Sequence, residues 1–274
     1  MSGGTPSDAA ATASQRTGMT SLPTRAIVRE VSPRLFDAEL THIERRAIDI
    51  DLARSQHREY RQILTDAGLA VIEAPSLPHH PDGVFVEDAV VVVEDHAMLT
   101  RPGAPSRRGE VDSLAALLTE LDHRVERLVE PATLDGGDVL QIGRDVYVGI
   151  SSRTNLAAVD ALGTWLAPLG RTVHPVEVHG ALHLKTAATA LPDGRVIAQV
   201  DALDTAGFGD REVVEVAEAS GANLLLLGDH IVVAASAPRT LAWLRGEGFA
   251  VTTVDLSEFE AVEAGPTCLS VLLA

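Results

Sequence analysis

A single cysteine occurs in the 274 residues, Cys268, within the apolar stretch EAGPTCLSVLL near the carboxyl end. Its ionised sulfur would be a strong nucleophile, whereas a neutral thiol packs as a small hydrophobe, and the residue alone leaves both roles open. Other groups able to do acid–base work sit in short stretches scattered along the chain. PDGVFVEDAV places Asp82, Glu87 and Asp88 around an apolar run, where a buried carboxylate needs a cation or several hydrogen bonds. TLDGGDVL sets Asp135 and Asp138 on either side of Gly136 and Gly137, a pair that permits a turn and the close approach of another group. LHLKT puts His183 and Lys185 on one face of a strand by alternation. Arg101, Arg107 and Arg108 in TRPGAPSRRGE, and Arg153 in SSRTN, could each form a two-pronged pair with a carboxylate. A cysteine, a histidine and an acid far apart in sequence follow the general pattern of a thiol nucleophile with its base. His79 and His80 adjoin in a proline-bounded loop, but no second cluster has ligand spacing, so neither a metal nor a cofactor is expected.

Groups so dispersed need a fold that gathers them. Val84 to Thr100 reads as two β-branched strands around a turn at Glu94-Asp95-His96. The pattern recurs in VLQIGRDVYVGI, from Leu182 to Val200, and in LLLLGDHIVVAA. A helix-like segment follows each hairpin, starting at Glu110, Arg153, Asp210 and Pro238, and then one more strand from Val125, Thr172, Asn223 and Val251. The hairpin turns are spaced by roughly 50, 50 and 35 residues, in the range of a repeat architecture. A fifth copy assembles from both ends: AIVREV, the helical DLARSQHREYRQILTDAG, LAVIEA and the final TCLSVLL. Pairing the first strand with the last would remove an exposed edge. Hairpins demand antiparallel neighbours, which argues against the competing doubly wound parallel sheet, and no G-x-G-x-x-G opens a helix after a strand. The expected class is therefore α/β, a closed ring of five ββαβ modules whose loops converge on one pocket.

Composition agrees. Hydrophobic residues make up 46 %, enough for a sizeable core. One cysteine allows no intrachain disulfide, which fits a reducing cytoplasm. A formal charge of −17 disfavours nucleic acid and favours small cations, and 3 % aromatic residues leave little for base stacking. Residues 1–22 are small and polar without the apolar core of a signal peptide, and no stretch is long and apolar enough to span a membrane. They read as a disordered tail ahead of one domain over residues 23–274.

Taken in order, PDGVFVEDAV, TRPGAPSRRGE, TLDGGDVL, SSRTN, LHLKT and GPTCLSVLL closely resemble the dimethylargininase (dimethylarginine dimethylaminohydrolase) family of guanidino-group-modifying enzymes. The resemblance covers about residues 24 to 273 and implies a five-module ββαβ propeller of the pentein type, with pseudo-fivefold symmetry. It implies Cys268 as nucleophile, His183 as general acid and base, and Asp135 holding the imidazole, where some relatives carry Glu. It further assigns Asp82, Glu87 and Asp88 to the cationic end of the substrate and Arg107 and Arg153 to its α-carboxylate. Leu40 and Val262 line the pocket, the latter through its main chain, and Asp138 gives support. The implied reaction turns N-ω-methylated arginines into citrulline and a methylamine through a covalent thiouronium, with arginine deimination or a non-catalytic propeller as the alternatives. The expected partner is that small molecule, with no nucleic acid and no membrane, and the oligomer allowed for is a homodimer.

Overall fold

The computed structural model describes residues 22–274, so the tail expected over residues 1–22 lies outside the described residues except for Leu22. Among the described residues fifteen strands form five sheets of three. In every sheet the middle strand pairs antiparallel with one neighbour and parallel with the other. The second module, for instance, runs Val90–Val93, His96–Leu99 and Arg124–Arg127, and the third runs Val139–Ile142, Asp145–Ile150 and Thr172–Glu177. The fourth comprises Ala188–Ala190, Val196–Ala198 and Val213–Glu215, and the fifth Leu225–Leu227, His230–Ala234 and Ala250–Val254. The first module is built from both ends, Val271–Leu273 pairing antiparallel with Arg25–Val28, which pairs parallel with Ala70–Glu73.

The sequence explains this order. The first two strands of each module are rich in Val, Ile, Leu and Ala and are buried, while third strands such as Arg124–Arg127 keep most side chains in water. Tight hairpins need a residue with positive φ, supplied by Gly143, Gly194 and Gly228 in three modules and by Glu94 in the second. Helices Ile50–Asp66, Asp112–Glu120, Leu156–Leu166 and Pro238–Gly246 make the crossovers to the parallel third strands. Asp49 caps the first by accepting from Asp51 and Leu52 N–H, and Asn155 caps the third from Ala158 N–H. Pro238 occupies the first turn of its helix, where no N–H partner is lost.

The fourth module departs from expectation. The segment from Asp210 is not a helix: Val213–Glu215 is the module's third strand, and short 3-10 turns at Val200–Ala202 and Thr205–Phe208 replace the crossover helix. β-branched residues in VVEV favour the extended chain, and a parallel partner in Val196–Ala198 decides the matter. The apolar NLLLL therefore supplies only the opening strand of the fifth module.

Candidate active site

All five opening strands are entered through a short helical turn: Val86–Ala89, Gly136–Asp138, Leu184–Ala187, Ala219–Ala222 and Pro266–Leu269. These turns touch one another, and four of them carry the reactive groups picked out above. His183 thus stands ahead of a helical turn and not on a strand, which corrects the alternation expected for LHLKT. A run as short as LHLKT is ambiguous in period, and here the turn at Leu184–Ala187 precedes the strand.

His183 is buried between two carboxylates. Its Nε2 lies 3.0 Å from Asp135 Oδ2 and its Nδ1 3.7 Å from Asp88 Oδ1. Burial alone would lower the imidazole pKa, but Asp88, the bond to Asp135 and Asp138 outweigh it and raise it to about 9. Asp88, also opposed by burial, is brought down to about 2 by His183 and Arg107. Asp135 accepts from Gly103 N–H at 3.0 Å through its other oxygen. Asp138 accepts from Leu184 N–H at 2.8 Å and from Ser151 Oγ–H at 2.7 Å, so it holds the backbone immediately after His183; burial lifts its pKa to about 6. Only glycine fits at position 137, because a Cβ would stand 2.6 Å from His183 Nδ1.

Cys268 is buried, 5 % exposed, and its sulfur accepts from Gly265 N–H at 3.5 Å. Burial, then the charges of Glu87 and Asp88, push the thiol up to about 12. Beside it Glu87 accepts from Lys185 Nζ and, at 2.8 Å, from Thr267 Oγ1; burial raises its pKa while Lys185 opposes. Asp82 accepts from Glu39 N–H, and burial raises it to about 6.

The resemblance gives both arginines one task, yet their surroundings differ. Arg107 is engaged by Asp88 at 2.7 Å and Glu110 at 2.9 Å, and by the carbonyls of Asp82 and Phe85. Arg153 donates from Nη2 to Thr41 Oγ1 at 3.1 Å, lies 3.9 Å from Asp135, and leaves its buried Nη1 without a hydrogen-bond partner. Leu40 and Val262 pack into the same apolar cluster as Cys268, Phe85 and Phe259. Sequence reasoning missed Glu263, whose carboxylate reaches back to residues 41 and 42, and Asn223, whose amide holds Thr267. Neither carries a local signal.

Among the described residues Asp88, Asp135 and His183 could also gather a metal ion, but their atoms already serve Arg107, Gly137, Gly103 and one another, an acid–base arrangement. A cavity of about 270 Å³ lies against the opening strands, with Val91, Leu140, Thr189 and Leu225 in its walls. It shares Glu87, Lys185 and Thr267 with the site and excludes His183 and Cys268, so it is a separate hollow.

A buried thiol, an imidazole, paired acids and an arginine whose Nη1 makes no hydrogen bond suit a reaction on a small cation that also carries an anion. Comparison with known proteins agrees. The family described as "N,N dimethylarginine dimethylhydrolase, eukaryotic" matches residues 36–223. The chain is 45 % identical over 250 residues to an N(G),N(G)-dimethylarginine dimethylaminohydrolase of Streptomyces coelicolor, covering 91 % of this chain and 96 % of that one. It is 31 % identical to the protein of the same name from Pseudomonas aeruginosa, over 81 % of this chain and 89 % of the relative. A solved structure of the Pseudomonas aeruginosa enzyme, a cysteine-to-serine mutant complexed with citrulline, superposes with a TM-score of 0.86 at 29 % identity, covering 92 % of this chain and all of that one. Another solved dimethylarginine dimethylaminohydrolase is an adduct with S-methyl-L-thiocitrulline, again with a TM-score of 0.86 and 29 % identity, over 92 % of this chain and all of that one. On identity, coverage and structure alike, the chain belongs to the dimethylarginine dimethylaminohydrolase family.

Proposed function

We propose that the protein hydrolyses N-ω-methylated L-arginines to L-citrulline, releasing dimethylamine or methylamine. The observation that carries this reading is His183 held between Asp135 and Asp88, with the Asp88 turn packed against the Cys268 turn. Glu87, Asp88 and Asp82 receive the guanidinium, keeping it protonated and so electrophilic. Arg153, whose Nη1 makes no hydrogen bond and lies 3.9 Å from Asp135, pairs with the α-carboxylate; Arg107 holds Asp88 and contributes to that carboxylate secondarily. Leu40 and the Val262 main chain close the pocket.

Burial, and then the charges of Glu87 and Asp88, hold the thiol neutral; a bound guanidinium offsets those carboxylates and favours the thiolate, which lowers the thiol pKa. Sulfur attacks the guanidinium carbon, neutralising the cation, so no oxyanion hole is needed in this step. The bond to the methylated nitrogen breaks as imidazolium His183 delivers a proton, and the amine departs, leaving an S-alkylthiouronium on Cys268. Neutral His183 then takes a proton from water; the hydroxide adds to the same carbon, the C–S bond breaks, and citrulline leaves. Asp135 orients the ring and stabilises its charged form. We also infer that the five sheets close into a pseudo-fivefold propeller, and that residues 23–274 form one cytoplasmic domain.

Asymmetric dimethylarginine incubated with the protein should give equimolar citrulline and dimethylamine, and Cys268→Ser should give neither while staying folded. Ammonia from arginine with no amine from dimethylarginine would replace this reading by arginine deimination.

A further inference from the structure

The turn Ala219–Ala222 enters its strand as the other four do, but it carries no ionisable side chain and is followed by Asn223, which is 4 % exposed. Thr189 pins the flanking backbone by donating to the Ala222 carbonyl at 2.7 Å and accepting from Leu224 N–H at 3.1 Å. The Asn223 side chain uses both of its amide hydrogens and its carbonyl oxygen. Oδ1 accepts from Thr267 N–H at 3.0 Å, and Nδ2 donates to the Lys185 carbonyl at 3.0 Å and to Thr267 Oγ1 at 3.1 Å. A backbone N–H can only donate and a carbonyl can only accept, so this amide has one permitted orientation. The Thr267 hydroxyl, accepting from Asn223, spends its own hydrogen on Glu87 Oε2, while Lys185 Nζ takes Oε1. Both Glu87 oxygens are therefore acceptors in a chain whose direction is set by the backbone. A Cβ at Gly265 would stand 2.6 Å from Asn223 Cγ, so the same amide seats the backbone leading to Cys268.

We propose that Asn223 is a positioning residue for recognition of the cation: through Thr267 it fixes the direction of the hydrogen bonds ending on Glu87, keeping that carboxylate an unprotonated acceptor beside Cys268. This rests on reading the site as one that takes a guanidinium. The charged and titratable groups around Glu87 are Lys185, Asp88, Cys268 and Tyr60, and burial and Asp88 favour its protonation while Lys185 and Thr267 resist it. Taking away the Thr267 donor removes one of the two resisting contacts. An aspartate at position 223 cannot donate, so the hydroxyl would turn back toward it and abandon Glu87.

Alkylation of Cys268 by two reagents, a cationic haloacetamidine and neutral iodoacetamide, tests this from mildly acidic to mildly alkaline pH. In the wild type the cationic reagent should react preferentially. Thr267→Val and Asn223→Asp should lower that preference about tenfold near neutrality and move its acid limb to higher pH, while Thr267→Ser restores it. A merely structural role would slow both reagents together, and that result, or an unchanged preference in folded Thr267→Val, overturns the proposal. If Asn223→Asp fails to fold, the two Thr267 variants decide. A wild type with the preference but no amine release from dimethylarginine would sink the substrate assignment and leave the Asn223 chain standing. A wild type with no preference would sink the cation site and the role of Asn223 together.

Discussion

Glu263 accepts the backbone N–H groups of Thr41 and His42, one on each carboxylate oxygen and both at 2.6 Å, across more than two hundred residues of chain. It does so from a left-handed backbone, φ 63°, unusual for a side-chain-bearing residue and next to Val262 of the apolar cluster that holds Cys268. The bond holds the loop that brings Leu40 to the apolar wall and Thr41 to Arg153. Glu263→Ala should raise KM for dimethylarginine by about 3- to 10-fold with little change in kcat. Steady-state kinetics check it, and an unchanged KM would show that the clamp is idle.

The two arginines should separate cleanly. Arg153→Lys should weaken KM about tenfold for dimethylarginine but leave turnover of a methylated alkylguanidine without a carboxylate nearly as it was. Arg107→Lys breaks the two-carboxylate buried contact and should cost several kcal/mol of stability, about 3–5, with Tm falling accordingly. Equal effects on both substrates would refute the assignment of Arg153.

pH should act on the Asp88–His183 pair in a defined window. The folded imidazole has its pKa raised from 6.5 to about 9, so its contribution to stability is full below 6.5 and disappears as pH climbs through about 9. Asp88 contributes above its unfolded value of 3.8 and stops as pH falls through about 2. In Asp88→Asn the alkaline decline of Tm should flatten, because the first of the charges raising the imidazole is gone. Melting curves over that range decide it.

His57 behaves in the opposite sense. It is buried against Tyr60 and Phe259, its Nε2 has no hydrogen-bond partner, and burial followed by Arg61 lowers its pKa from 6.5 to about 4. The unfolded chain binds this proton first, so stability falls as pH drops from 6.5 toward 4, by about 3 kcal/mol at most. His57→Leu should remove much of that acid sensitivity in a Tm series. An unaltered slope would place the acid lability elsewhere.

Local pattern made much of this protein readable. β-branched apolar runs beside a positive-φ turn announce the hairpins around Glu94 and Gly143, and the apolar helical face from Leu156 follows its Asn155 cap. Asp210 to Ser220 misled because helix and strand patterns compete in DREVVEVAEAS, and only the neighbouring strand Val196–Ala198 settles the choice. The turns carrying Glu87, Asp138 and Cys268 are too short to show any period. Arg107 could be paired with Glu110 from spacing alone, whereas its bond to Asp88, like those of Asn223 and Glu263, joins segments that only the folded chain brings together.

The five equivalent entry turns give the molecule an unforgiving kind of cooperativity. The candidate reacting groups sit at the entry turns of four different sheets, and the entry turn of the fifth leads to Asn223, the peg against which two others lean. A partly melted molecule, whichever sheet has opened, keeps most of its mass in native form and yet has no working chemistry. Turnover is therefore an alarm for the integrity of the whole, tripped by the first local opening and long before bulk unfolding registers in an optical signal.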